Sequence, residues 1–278
     1  MTASDHLLRD LAPIPSKAWK VVDDEARDRL TPLLSARRLA DWSGSGGWEH
    51  DAMPLGRTAN LDSPPGAADA AAGATRGVRA RQRRVLPLTE VRVPFTVARA
   101  EIDDIQRGAL DPDFDDLDRA AHAAALIENR AVFHGWAAAG IEGIATASSH
   151  SGAELGTDCG RYPDVVAVAV DRLRSAGVEG PYTLALSPAL YTRIIETTEH
   201  GGYLLLDHLT RILGGTVLWT PGIDGAVVAS QRGGDFLLDV GQDISIGYSH
   251  HDTDQVHLYL EESFTFRVVE PDAAVALA

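Results

Sequence analysis

Two stretches of β-forming residues that flank a long segment of proline, glycine and alanine constrain the fold of this chain more than any other feature. Residues 48–61 alternate weakly in hydropathy and form the first predicted strand arm, and residues 85–97 carry the β-branched side chains of the second. Between them, residues 63–74 contain Pro64, Pro65 and an alanine- and glycine-rich run, which predicts an exposed tip. A hairpin of this length leaves strand edges unpaired, so we expect a neighbouring surface to cover it.

An amphipathic helix is predicted close to the amino end of the chain. Ser16 is the predicted N-cap, and apolar residues recur at steps of three and four from Trp19 to Leu30. Pro32 is expected to interrupt this helix. The serine- and glycine-rich residues 43–47 predict a flexible loop after it.

The remaining pattern divides the chain into a helix-rich middle and a sheet-rich last third. A long helix is predicted over residues 115–136, with acidic residues at its positive amino-terminal end. Further helices are predicted over residues 163–177, 188–195 and 204–213, and strands over residues 182–186, 216–220, 226–230, 236–240, 244–248 and 256–269. This order predicts an α+β fold.

The net charge argues against partners that are themselves polyanions. With 25 basic and 40 acidic residues the chain carries a formal charge of −15, whereas nucleic acids and anionic membranes select basic surfaces. We therefore expect neither as a partner. No run approaches the roughly 20 apolar residues of a membrane-spanning helix, and the amino end lacks the pattern of a signal peptide, so the cytoplasm is the expected location.

Motifs for catalysis or metal binding are incomplete. The glycine-rich stretches lack the spacing of nucleotide-binding loops, and Ser249 does not lie in a complete nucleophile elbow. His250 and His251 are neighbours on a predicted strand and should point to opposite faces. The same holds for Glu261 and Glu262. The sequence therefore predicts a protein that is not an enzyme and has no metal site or cofactor of its own.

A cluster of five arginines interrupts the acidic background: Arg76, Arg79, Arg81, Arg83 and Arg84. One interpretation is a solvated face of the hairpin. The other is a contact surface. In an acidic chain a contact between subunits is favoured over one with nucleic acid.

Eight segments spread over nearly the whole chain form a recognisable series. They are residues 8–14 (LRDLAPI), 92–96 (RVPFT), 101–108 (EIDDIQRG), 140–144 (GIEGI), 177–182 (GVEGPY), 232–236 (RGGDF), 241–248 (GQDISIGY) and 262–266 (ESFTF). In this order they resemble the encapsulin shell proteins, specifically the linocin-like group with an amino-terminal helix. The combination is far more specific than any single segment.

The resemblance implies the α+β fold of tailed-phage major capsid proteins, which is Hong Kong 97-like. The expected divisions are an amino-terminal helix region at residues 1–47, an extended loop at 48–97, a peripheral domain with a long spine helix at 98–150, an axial domain at 151–225 and a return to the peripheral domain at 226–278.

The same resemblance implies a structural function. Such chains form an icosahedral shell, commonly of sixty subunits, and enclose cargo enzymes in the cytoplasm by binding their carboxy-terminal targeting peptides. The expected cargo is a dye-decolorising peroxidase, or otherwise a ferritin-like protein, which suggests a role in oxidative stress or iron storage. Haem or iron is expected only with that cargo. The alternatives are a viral capsid protein, disfavoured by the negative charge, and a bacteriocin or hydrolase, disfavoured by the missing nucleophile motif.

Two sites are implied as well. The cargo-peptide site is expected at Leu30, Leu34, Arg37, Leu39, Asp41, Asp243, Ile244 and Ile246, although the apolar members could equally be core residues. The segment around a fivefold pore for small solutes is expected at Glu199, His200, Gly201, Gly202 and Tyr203, where the alternative is an ordinary loop between two helices.

Overall fold

The computed structural model describes residues 6–61, 79–198 and 204–278. The helices of this part are α1 (Ser16–Leu33), α2 (Arg99–Arg107), α3 (Asp115–His134), α4 (Ile144–Ala147), α5 (Tyr162–Ser175), α6 (Pro188–Glu196) and α7 (Leu205–Leu213). The strands are β1 (Asp41–Ser45), β2 (Ala52–Leu61), β3 (Ala80–Pro87), β4 (Thr89–Ala98), β5 (Tyr182–Leu186), β6 (Val217–Trp219), β7 (Ala226–Ser230), β8 (Phe236–Val240), β9 (Ser245–His251), β10 (Gln255–Val268) and β11 (Ala274–Leu277).

The longest strand, β10, organises the larger sheet. The strand order is β1-β8-β10-β4, and β9 pairs with β10 on the same edge as β8. Alternate residues of β10 from Val256 to Leu260 are buried in one core with α1 and α3. In α1, Val22 and Leu30 are buried in the same core, and each contributes about 1.5–3 kcal/mol by leaving water.

The long helix α3 spans this core and ends at a backbone constraint. Its first turn carries three acidic residues, which interact favourably with the positive end of the helix. Gly135 follows His134 with a φ of 87°, and a Cβ at this position would lie 2.8 Å from the main-chain nitrogen of Gly143. Only glycine fits this close approach, so the helix stops there.

The smaller sheet has the strand order β11-β7-β5-β6. Its central strands β5 and β7 are buried along their whole length, as expected of strands covered on both faces. Helices α5 and α7 contribute Val166, Leu173 and Leu209 to the same core. In the described residues, no helix combines the length and apolar character needed to cross a membrane.

The hairpin differs in one arm from the prediction. Its strands are β2 and β3, paired antiparallel from Ala52↔Pro87 to Leu61↔Ala80. The predicted second arm at residues 85–97 falls mostly in β4, which pairs with β10 in the larger sheet. The β-branched residues identified the strand correctly but assigned it the wrong partner, because pairing depends on contacts far along the chain.

Several local predictions also differ from the structure. Ser16 is the first helical residue and makes no capping hydrogen bond, and Pro32 lies inside the last turn of α1. Residues 43–47, predicted as a flexible loop, overlap β1, which is held by parallel pairing to β8. Strands β7 and β11 belong to the smaller sheet, so only β8 to β10 of the last segment return to the larger one. Helix α2 and strand β11 were not predicted.

Candidate functional site

A groove with a volume of about 560 Å³ lies between α1 and the start of β9. Its apolar lining comes from both elements and from β10: Ala26, Leu30, Leu34, Ile244, Ile246 and Leu260. Charged side chains surround this apolar strip: Arg9, Asp23, Arg27, Arg37, Arg38 and Asp243. An apolar strip with a charged rim is typical of a surface that binds a peptide.

A buried asparagine fixes the chain where α1 ends beside the groove. The Asn129 side chain on α3 accepts a hydrogen bond from the main-chain N–H of Ala36 at 2.9 Å and donates to the carbonyl oxygens of Leu33 at 2.8 Å and Pro221 at 3.0 Å. These bonds satisfy main-chain groups that the helix end leaves unpaired. They place the short 3₁₀ turn at Ala36–Arg38 over the groove.

Arg37 on this turn is bound by three carboxylates. Its guanidinium donates to Glu128 Oε2 at 2.8 Å, to Asp243 Oδ1 at 2.8 Å and to Glu262 Oε1 at 2.5 Å. The guanidinium carbon lies 4.8 Å from the centre of the Trp42 ring. The Glu128 and Glu262 side chains are 0% and 5% exposed, whereas that of Asp243 is 40% exposed. Arg37 therefore stabilises a buried charge cluster and presents only its Asp243 side to the groove.

The cluster raises the pKa of both Glu262 and Arg37, for different physical reasons. Burial raises the pKa of the Glu262 carboxyl well above its usual value, and the adjacent Glu128 carboxylate raises it further. Burial alone would lower the pKa of Arg37, but the nearby carboxylates outweigh it and keep that pKa above the ordinary value. Arg37 thus stays charged, and its guanidinium compensates the carboxylates buried beneath the groove.

The amino-terminal strap, residues 6–9, closes one end of the groove. The carbonyl oxygen of Leu7 accepts a hydrogen bond from the Tyr248 N–H at 2.8 Å. The His6 ring stacks on Trp48 with 3.9 Å between ring centres, and Arg9 binds both carboxylate oxygens of Asp23 at 3.0 and 2.7 Å. Nothing local in the sequence indicates these contacts, because the partners are distant from one another along the chain.

The groove contains most, though not all, of the residues expected at the cargo-peptide site. Leu30, Leu34, Arg37, Asp243, Ile244 and Ile246 line it. Leu39 instead belongs to the hydrophobic core that joins the smaller sheet to β8 and the end of β10. Asp41 accepts a hydrogen bond from the Gly234 N–H at 2.5 Å, outside the groove. Neither residue lines the groove.

The arginine cluster lies on the hairpin as expected. Arg79, Arg81, Arg83 and Arg84 are exposed on or just before β3, while Arg76 falls outside the described residues. Arg57 on β2 pairs with Arg84 in register. Like charges directly opposite each other on a hairpin are destabilising. The predicted pore segment, Glu199, His200, Gly201, Gly202 and Tyr203, also falls outside the described part of the chain.

The ionisable residues of the last third separate as predicted. Glu261 meets Arg92 Nε at 2.5 Å, whereas Glu262 faces Arg37. The ring of His250 stacks on His257 with 4.1 Å between centres, and His251 Nδ1 lies 2.6 Å from the Tyr248 hydroxyl. Within residues 6–61, 79–198 and 204–278, no group of three or more histidine, cysteine or acidic side chains is arranged to hold a metal ion.

Comparison with known proteins gives the chain close relatives. Residues 4–265 match the model of the Linocin_M18 family, described as encapsulating protein for peroxidase. The type 1 encapsulin shell protein of Rhodospirillum rubrum is 50% identical over 273 residues, which cover 98% of this chain and 96% of that one. The type 1 encapsulin shell protein of Mycobacterium tuberculosis is 43% identical over 274 residues, or 99% of each chain.

Solved structures show the same fold at much lower identity. A virus-like particle from Pyrococcus furiosus matches with a TM-score of 0.62 and 18% identity, covering 94% of this chain and 99% of that one. At such identity the likeness shows the fold alone. It confirms the predicted α+β fold of capsid proteins.

Proposed function

Because this chain belongs to the family of encapsulin shell proteins, we propose that it closes into an icosahedral compartment in the cytoplasm and holds cargo enzymes on the inner wall. The family consists of structural shell proteins, so the role of the chain is structural and not enzymatic.

The exposed hairpin supports assembly through edge contacts. Strands β2 and β3 bury little in the single chain: Leu61 and Val85 are each 49% exposed. Strands β2 and β3 contain Arg57, Arg81, Arg83 and Arg84 but no acidic residue, although the whole chain is strongly acidic. A neighbouring copy offers both the apolar cover and the negative charge that this arm lacks.

The groove is the observation that carries the proposal of cargo binding. It combines an apolar strip with a charged rim, and it lies where the family resemblance expects the targeting peptide. Leu34 and Ile244 are only partly buried in the free chain, so an apolar side chain placed on them would remove more of their surface from water.

A peroxidase is the proposed cargo, with a ferritin-like protein as the alternative. The description of the matching family model names peroxidase. Haem or iron would enter with the cargo. The segment from Glu199 to Tyr203 is proposed to line a fivefold pore through which small substrates of the enclosed enzyme pass.

The test is cargo loading of shells purified from cells that co-express a fluorescent protein fused to the carboxy-terminal segment of the native cargo. Leu34→Gln should lower fluorescence per shell at least about fivefold, because it places an amide in the apolar strip. Val168→Gln is the matched control, since Val168 is 51% exposed on α5 and outside the groove. Equal loading of both variants would contradict the assignment of the groove.

A further inference from the structure

Helix α3 holds the loop that leads into the smaller sheet at β7, residues 221–224. The Asn129 side chain donates to the carbonyl oxygen of Pro221 at 3.0 Å. Gly222 packs so closely on α3 that a Cβ at this position would lie 2.9 Å from Leu126 Cδ2. Because α3 contributes residues to the cores of both sheets, this loop is part of the connection between the two parts of the subunit.

A histidine at the end of α3 makes a further contact with the loop. His134 Nε2 lies 3.0 Å from the main-chain nitrogen of Asp224. A main-chain N–H can only donate, so Nε2 is the acceptor and the proton of the neutral ring is on Nδ1. In the protonated ring both nitrogens carry a hydrogen and neither can accept. Protonation of His134 therefore breaks this hydrogen bond.

A second histidine shows the opposite arrangement. His150 Nε2 lies 3.0 Å from the carbonyl oxygen of Asp272. A carbonyl oxygen can only accept, so here the ring nitrogen is the donor, and it stays a donor when the ring takes up a proton. The two histidines therefore respond differently to acid, and the partner atom of each ring determines the response.

The surroundings of His134 favour the neutral ring while the loop is in place. Burial lowers the pKa of His134, the Asp224 carboxylate raises it and Arg130 lowers it. The side chains of Arg130 and Asp224 are 65% and 86% exposed, so water screens both charges. The carboxyl end of α3 also favours a positive charge. Burial has the largest effect, and a loop that moves away from the ring would remove much of it.

We propose that His134 is an acid-sensitive lock between α3 and the smaller sheet. The neutral ring holds the loop at residues 221–224, and the protonated ring releases the main chain at Asp224. The proton comes from solvent, because His134 is only half-buried. Acid thus loosens the connection between the two parts of the subunit while both sheets stay folded. This inference does not depend on the proposed cargo binding.

The experiment is hydrogen exchange of the purified, assembled protein between pH 7.5 and pH 5, measured by mass spectrometry with fragmentation that resolves the Asp224 amide. Exchange rates are corrected for the intrinsic effect of pH, which gives a protection factor for each amide. His134→Gln keeps an acceptor oxygen near the place of Nε2 but cannot titrate. His150→Gln is the matched control. The amide of Leu184, bonded to the Thr216 carbonyl oxygen at 3.0 Å in the smaller sheet, is the internal reference.

The lock predicts a pH-dependent loss of protection confined to the loop. Protection at Asp224 should fall about fivefold or more from pH 7.5 to pH 5, because a proton that binds the open loop better shifts the equilibrium below about pH 6.5. His150→Gln should show the same fall, and His134→Gln a change of less than about twofold. Constant protection at Asp224 in the unsubstituted protein would overturn the proposal. An equal fall in His134→Gln, or an equal fall at Leu184, would also overturn it, since the loss would then reflect another group or general unfolding.

Discussion

Replacement of Arg37 by methionine tests the charge cluster beneath the groove. The substitution keeps an unbranched apolar stem but leaves the Glu128 and Glu262 carboxyls, 0% and 5% exposed, without their cation. Removing one partner of a buried ion pair costs about 3–5 kcal/mol. Asp243→Asn is the control: Asp243 is 40% exposed and Arg37 keeps its two buried partners, so that loss should stay below about 1 kcal/mol.

The loss of stability in Arg37→Met should depend on pH in a defined direction. The pKa of Glu262 is already raised by burial and by Glu128, and loss of Arg37 would raise it further. A carboxyl whose pKa is higher in the folded than in the unfolded protein binds more protons when folded, so its contribution to stability falls as pH rises. Arg37→Met should therefore be less destabilising at pH 5, where Glu262 takes up a proton more readily, than at pH 8.

Denaturant unfolding followed by tryptophan fluorescence measures both effects on purified shells. The triple variant Arg37→Met, Glu128→Gln, Glu262→Gln should recover much of the lost stability, because no buried charge remains uncompensated. The reasoning is refuted if Arg37→Met is no more destabilising than Asp243→Asn, or if its deficit is the same at pH 5 and pH 8. If shells of an Arg37 variant hold less cargo, this indicates a lost contact with the peptide only when the variant is as stable as the unsubstituted protein.

Four further outcomes are expected. Arg83→Glu combined with Arg84→Glu should shift the chain from shells to unassembled subunits in gel filtration, whereas the corresponding glutamine variants should weaken assembly less and reduce its sensitivity to salt. Phe133→Ala, at a fully buried position, should lower the free energy of unfolding by about 3–5 kcal/mol in denaturant titrations. Burial lowers the pKa of His134, so stability should fall as pH drops below about 6.5, and less so in His134→Gln; identical Tm shifts would contradict this. Entry of small solutes into intact shells should change between pH 5.5 and 8 if His200 lines the pore, and His200→Ala should abolish the change.

The sequence pattern predicted those helices and strands whose formation depends mainly on their own residues. Strands β5, β7 and β8 were predicted with their observed bounds. Each is a short apolar run between turn residues, and this pattern is visible in the sequence alone. Strand β1 was missed because its residues favour a loop and become a strand only by pairing with β8. Helix α2 buries only Ile102 and Ile105, too few apolar residues to reveal its period.

Most of the residues that line the groove could be predicted from the sequence, but the buried ion pairs beneath it could not. Most of its apolar residues and Asp243 follow from the family resemblance, yet the other two carboxylate partners of Arg37 do not. Glu128 and Glu262 lie 91 and 225 residues from it along the chain, and nothing local connects them. The same limit explains Leu39 and Asp41. Both are near the groove residues in sequence, but Leu39 is buried in the core shared by the two sheets and Asp41 binds the main chain of Gly234.

Electron microscopy of particles purified from the native host, with identification of their contents, tests the central claim most directly. The account predicts closed, hollow shells built from this chain, with an enzyme bound to the inner wall and no nucleic acid inside. A stable monomer at cellular concentration, or particles filled with nucleic acid, would contradict it.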